Sequence, residues 1–337
     1  MNLRHHGDAD ATPGLVDLAV NVRTPTPAWL LAALTADPHR WADYPDPTAA
    51  ADALARRHRV RPENVLPTPG AAAAFALVAA LRPRRPVVVH PQFTEPESAL
   101  VDAGIPVTRH VLKAATGFTL DPAAVPDGDL AIVGNPTNPT GTLHPRATLD
   151  ALRRPDRILV VDEAFMDFVP GEAESMTTGD LTGLLVVRSL TKMWGLAGIR
   201  AGHVVGDPAL IARLTRQQRP WATSTPALDA MVACSTPDAL AEAHAAATRT
   251  DRDRNHLLAA LADGGFPAAG APRTPFVLVD TGILGPSSAR EALAAAGFAV
   301  RRGETFPGLG PTWIRVAVRD PRTSDALARA LRALRTD

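Results

Sequence analysis

The 337-residue sequence predicts an α/β fold, with a sheet of mostly parallel strands buried between helices and a smaller α+β unit after it. Two observations carry this. Between Val65 and Val205, apolar runs of four or five residues recur, separated by longer helical or loop segments. Strands apolar on both faces belong in a sheet covered on both sides, and crossover connections of that length build one. Past Trp221 the pattern changes to long alanine-rich stretches and then to strands with helices grouped around them. The expected organisation is an N-terminal arm and helix over 1–44, a large domain over 45–220 and a small domain over 221–337.

In chain order, Asp17 to Asn21 reads as a short extended piece. Thr24-Pro-Thr-Pro27 stops it and suits a helix start near Ala28. An arm without a core of its own is expected to pack on something else, a partner subunit included. The loop Trp41 to Pro47 holds the only tyrosine, Tyr44, which by itself reads as an amphipathic surface plug, and the helix Thr48 to His58 follows. Val65 to Thr68 leads through Gly70 into an alanine-rich helix, whose free N–H groups favour an anion. Strands are then expected at Pro86 to His90, Val107 to Val111, Leu130 to Val133, Ile158 to Val161, Leu184 to Val187 and His203 to Val205. The last part reads as one or two helices over Leu228 to Ala262, strands at Phe276 to Val279, Phe298 to Val300 and Ile314 to Val318, and helices over Ser287 to Ala296 and Pro321 to Leu334.

Composition narrows the partners. Apolar residues at 46% and charged residues at 21% suit a globular enzyme, and 35 basic against 35 acidic side chains give a nucleic acid or a membrane surface no electrostatic hold. The single cysteine, Cys234, has no disulfide partner and no ligand cluster, so a buried small hydrophobe in a reducing cytoplasm is expected, and no metal. Met1 to Asp10 lacks the apolar core of a signal peptide, and no apolar run approaches the ~20 residues of a membrane span.

Chemistry in such a sheet belongs at the carboxyl ends of its strands. Three of them end in polar residues: one runs into Asn135-Pro-Thr-Asn138-Pro-Thr-Gly141, one into Asp162-Glu-Ala-Phe165, and one into Ser189-Leu-Thr-Lys192 with Arg200 eight residues on. A lysine there can form an imine with an aldehyde, a carboxylate can keep a ring nitrogen protonated, and an amide can donate to a phenolate. With the glycine-led helix start and Arg200 for a phosphate, the set describes what pyridoxal phosphate requires. Each residue has an ordinary reading as well, Asp162 as a helix cap and Asn138-Pro139 as a turn; their order and spacing favour the cofactor.

Asn138-Pro-Thr-Gly141, Asp162-Glu-Ala-Phe165 and Ser189-Leu-Thr-Lys192 with Arg200 resemble the motifs of fold-type I pyridoxal-phosphate enzymes, and within them the branch of histidinol-phosphate aminotransferases and threonine-phosphate decarboxylases. The likeness runs from His6-Gly7-Asp8 to Arg315-Val-Ala-Val318. It implies a seven-stranded, mostly parallel sheet and a homodimer in which Tyr44 reaches the partner's cofactor phosphate. It further implies that Gly70, Ala71, Ala72, Ser189, Thr191 and Arg200 cradle the phosphate, that Phe93 stacks on the ring, and that Phe165 lies beside the cofactor. Arg315 would bind the substrate carboxylate with Asn21 near it, and Arg301 and His6 would meet a distal phosphate.

Within the resemblance, Phe165 stands where the aminotransferases usually carry tyrosine. Asp162-Glu-Ala-Phe-Met-Asp-Phe168, the His6-Gly7 pair and Phe306-Pro-Gly-Leu-Gly-Pro311 are similar to the decarboxylase. The expectation is therefore decarboxylation of L-threonine O-3-phosphate in cobalamin biosynthesis. The alternative is a histidinol-phosphate or related aminotransferase using glutamate and 2-oxoglutarate. A cofactor-binding protein without activity is a third reading, which the retained Lys192, Asp162, Asn138 and Arg200 disfavour. The chain departs from the family pattern at Pro69, Ala73 and Pro275, and the stretch between His6 and Asn21 is short.

Overall fold

The computed structural model describes residues 3–335. The elements run β1 (Val16–Leu18), α1 (Ala28–Leu34), α2 (Thr48–His58), β2 (Val65–Thr68), α3 (Ala71–Ala80), β3 (Pro86–His90), α4 (Glu95–Asp102), β4 (Thr108–Val111), β5 (Leu130–Gly134), α5 (Arg146–Asp150) and β6 (Ile158–Asp162). They continue with β7 (Leu184–Ser189), α6 (Thr191–Trp194), β8 (Gly202–Gly206), α7 (Pro208–Gln217), α8 (Thr225–Ala233), α9 (Pro237–Asp263), β9 (Phe276–Asp280), α10 (Arg290–Ala295), β10 (Phe298–Arg302), β11 (Trp313–Ala317) and α11 (Pro321–Ala333).

Seven strands form one sheet in the order β2-β8-β7-β6-β5-β3-β4, in which β8 runs antiparallel to both neighbours and the other pairs are parallel. Side chains alternate between two covered faces, as the apolar runs require. Val160, Leu185 and Val187 pack with α3, α4 and α7, whereas Leu159, Val161, Leu184 and Val186 pack on the opposite side with Leu149, Met176 and Leu278. Each such side chain contributes about 1.5–3 kcal/mol when fully buried. A four-stranded sheet, β1-β10-β11-β9, takes its edge strand from the N-terminal arm, with β1 parallel to β10. It packs with the end of α9 and with α10 and α11 around Leu257, Leu293 and Leu327.

The differences from the sequence expectation are local. The stretch 228–262 divides into α8 and α9 because Thr236 caps a new helix, its Oγ1 accepting from the Ala239 N–H, with Pro237 in the first turn. The helix expected over 287–296 begins only at Arg290, since Gly285 has a φ of 120° and Ser288 turns its hydroxyl to the Arg290 N–H. Strands β6 and β7 reach further than their apolar runs and end on Asp162 and Ser189 themselves. Cys234 is buried, as expected for a small hydrophobe. Among the described residues, no helix is long and apolar enough to cross a membrane.

Candidate active site

The carboxyl ends of β5, β6 and β7 lie side by side, with Gly134 opposite Asp162 and Asp162 opposite Val187. Ser189 and Thr68 both pair with Gly202 on β8, which brings the start of α3 against the end of β7. Gly202 has to be glycine there: a Cβ would sit 2.7 Å from the Ala71 nitrogen. A cavity of about 550 Å³ opens over these strand ends, a size ordinary for a small-molecule site. The strands and their loops supply Ala71, Ala72, Phe93, Asn138, Asp162, Phe165, Ser189, Thr191, Lys192 and Arg200; the N-terminal arm adds His6 and Asn21, and β10 and β11 add Arg301 and Arg315. Tyr44 stands apart from the cavity, 76% exposed and stacked on Trp221 at 4.3 Å.

Asp162 is buried, accepts from the Ala164 N–H at 3.0 Å, and forms no ion pair among the described residues. Burial pushes its pKa up to about 6, against the lowering effect of the Ala164 N–H and the Lys192 charge. A carboxylate in this position calls for a cationic donor. Burial likewise brings the Lys192 amine down to about 8, helped by Arg315 and Arg200. At the other end Gly70, with φ 81° and ψ 165°, caps α3 beneath Arg200. A Cβ on Gly70 would lie 2.6 Å from Arg200 Nη2, so the glycine leaves room for the guanidinium above the free N–H groups of Ala71 and Ala72.

Arg315 is buried, and its charge has no carboxylate partner among the described residues. It donates to Asn138 Oδ1 at 2.6 Å and to the Ala19 carbonyl at 2.5 Å, and its guanidinium lies 5.1 Å from the Phe276 ring centre. With its amide oxygen turned to Arg315, Asn21 accepts from Nη1 at 3.0 Å. Burial, then the charge of Arg301, lowers the Arg315 pKa to about 9. Phe165 meets Phe276 edge to face at 4.9 Å, so the residue after Asp162-Glu-Ala supports the platform under Arg315.

Two of the expected substrate residues line the cavity with acid partners of their own. Arg301, expected to meet a distal phosphate, already donates to Asp10 Oδ2 at 2.9 Å. His6, expected beside it, is bonded through Nε2 to Glu95 Oε1 at 2.7 Å. Both acids escaped the sequence reading, because Asp10 and Arg301 are 291 positions apart and no local pattern marks such a pair. A buried charge network was missed as well: Arg188 donates to Glu163 at 3.0 Å, to Glu172 at 2.7 Å and to Asp167, which also holds Arg57. It braces Asp162 and Ser189 through their chain neighbours. Its only sequence signal was an arginine inside an otherwise apolar strand.

The model of a family described as aminotransferase class I and II matches residues 13–334. The chain belongs to the aminotransferase class I and II family. Pyridoxal phosphate is its cofactor, and the acid-lined, lysine-bearing cavity with a glycine-led helix start fits that group. Among members of the family, the chain is 48% identical over 321 residues to a histidinol-phosphate aminotransferase of Mycobacterium tuberculosis, covering 94% of this chain and 87% of that protein. It is 33% identical over 327 residues to a threonine-phosphate decarboxylase of a Sinorhizobium species, covering 93% and 92%. The crystal structure of a histidinol-phosphate aminotransferase from Clostridium acetobutylicum superposes with a TM-score of 0.84 at 22% identity, over 95% of this chain and 98% of that one, which shows the shared aminotransferase fold.

Proposed function

We propose that this chain is an aminotransferase that moves an amino group between a phosphorylated amine of the histidinol phosphate type and 2-oxoglutarate. The observation that carries this reading is the contrast between two buried arginines on the substrate side of the cavity. Arg315 has no acid partner among the described residues, whereas Arg301 is paired with Asp10, which also holds Arg302. O-phosphothreonine brings a carboxylate and a phosphate dianion, whereas each of the two acid groups of 2-oxoglutarate is a singly charged carboxylate. Histidinol phosphate brings one phosphate and a ring that can be neutral, which suits one open guanidinium. The 48% relative named as an aminotransferase supports the same choice and reverses the preference drawn from Phe165.

Bound pyridoxal phosphate supplies an electron sink that weakens the bonds at the substrate Cα. Lys192 would hold the cofactor through its aldehyde, and its Nζ, brought down to about 8 by burial, could take or give a proton close to neutrality. Asp162 would keep the ring nitrogen protonated, and Asn138, whose Oδ1 faces Arg315, would have its amide donors free for the ring oxygen. Gly70, Ala71, Ala72, Ser189, Thr191 and Arg200 would hold the phosphate, and Phe93 would cover the ring. A homodimer belongs to this reading: the exposed Tyr44–Trp221 stack gives a second copy an aromatic face, from which Tyr44 would reach the partner's site.

The decarboxylase remains the second reading, favoured by Phe165 and by the 33% relative. One experiment separates them. Holoenzyme is incubated with histidinol phosphate and 2-oxoglutarate, and in parallel with O-phosphothreonine. Glutamate formation in the first is the expected result; carbon dioxide from the second with no glutamate in the first would overturn the proposal.

A further inference from the structure

We propose that Asp10 occupies the anion-binding capacity of Arg301 from within the chain, so that the substrate end lying against Arg301 is a neutral group or a single carboxylate and not a phosphate dianion. This rests on the aminotransferase reading and defines the second subsite of the same cavity.

Arg301 and Asp10 are 2% and 3% exposed, so their pair is closed to solvent. Arg301 Nη1 donates to Asp10 Oδ2 at 2.9 Å, Nη2 donates to the His5 carbonyl at 2.7 Å, and the Phe306 ring lies 4.8 Å below the guanidinium. Asp10 uses its other oxygen as well, with Oδ1 accepting from Arg302 Nε at 2.9 Å. Pulling Asp10 away to admit another anion would strand a buried carboxylate, which costs far more than an exposed pair would. If Asp10 stays, an incoming dianion meets a carboxylate at close range in a medium that screens poorly. The parallel pairing of β1 with β10 ties the arm to the strand that carries Arg301, so Asp10 is held there by the fold. Asp8 and Glu95 line the same cavity and add negative charge, with Glu95 engaged by His6. An imidazole, which can be neutral and can both donate and accept, is the kind of group this end admits.

The test is the affinity of holoenzyme for L-histidine and for O-phospho-L-threonine, read from the visible cofactor absorbance in wild type, Asp10→Asn and Asp10→Glu. Wild type is expected to bind L-histidine more tightly by about tenfold or more. Asp10→Asn should gain about tenfold for O-phosphothreonine while its affinity for L-histidine shifts by less than about threefold, and Asp10→Glu should keep the wild-type preference. A purely structural role would weaken both ligands together in Asp10→Asn, and that result overturns the proposal. So does a wild type that binds O-phosphothreonine as tightly as L-histidine, a measurement that requires no variant. Glutamate formation from histidinol phosphate is scored separately: if it is absent while the Asp10→Asn shift is present, the aminotransferase reading falls and the role of Asp10 stands.

Discussion

Gly70→Ala isolates the phosphate end of the cavity. The native backbone at Gly70, φ 81° and ψ 165°, lies where only glycine is unstrained, and holding an alanine there costs about 1–3 kcal/mol. The added methyl would sit 2.6 Å from Arg200 Nη2. Arg200 is exposed and bonds through its side chain to the Ala197 carbonyl at 3.1 Å, so the guanidinium swings aside at little cost to folding. The two effects therefore appear in different measurements. Thermal unfolding of the cofactor-free protein should drop by a few degrees, reflecting the backbone strain alone. Cofactor affinity should fall further, because a displaced Arg200 loses a charge-assisted hydrogen bond to phosphate worth about 1.5–3 kcal/mol, or roughly 10- to 150-fold in Kd. The assay is titration of cofactor-free Gly70→Ala with pyridoxal phosphate, followed by visible absorbance, beside Ala72→Ser as a control that keeps the backbone. A Gly70→Ala protein that binds the cofactor within about twofold of wild type would refute the placement of the phosphate between α3 and Arg200.

Three further outcomes are expected. Arg188→Met leaves Asp167 and Glu172 to Arg57 alone and takes from Glu163 its arginine partner, and chemical denaturation should show a loss of about 3–5 kcal/mol; the loss should shrink on acidification, because Arg188 and Arg57 overcome the cost of burial and hold Glu172 near 2, a stabilisation present above the ordinary carboxylate pKa and lost as pH falls toward 2. Cofactor affinity should weaken as pH falls through about 6, where burial places the pKa of Asp162, by about tenfold per unit below it, and Asp162→Asn should flatten that profile. In the cofactor-free protein the same raised pKa makes stability fall as pH rises from the ordinary carboxylate range through about 6, since the unfolded chain gives up that proton first.

Much of this protein is local in its sequence. The apolar runs placed the strands of the seven-stranded sheet because a strand buried on both faces has no polar side to show, and Ile158–Asp162 and Leu184–Ser189 are such strands. Asp162, Ser189 and Lys192 were legible because they sit at or just past strand ends, where a parallel sheet gathers its chemistry, and Gly70 because a helix start needs a special backbone. Tertiary structure decided what these signals leave open. Whether a buried arginine can receive a ligand depends on which acid lies next to it, and the sequence holds Arg301 and Arg315 as equals. Folding brings Asp10 to one of them across 291 positions and leaves the other to Asn21, Asn138 and a carbonyl. Strand ends and turns are written over a few neighbouring residues, whereas charge pairing depends on distance in space; the polar strand ends that line the cavity could be read from the chain, and the partners of its two buried arginines could not.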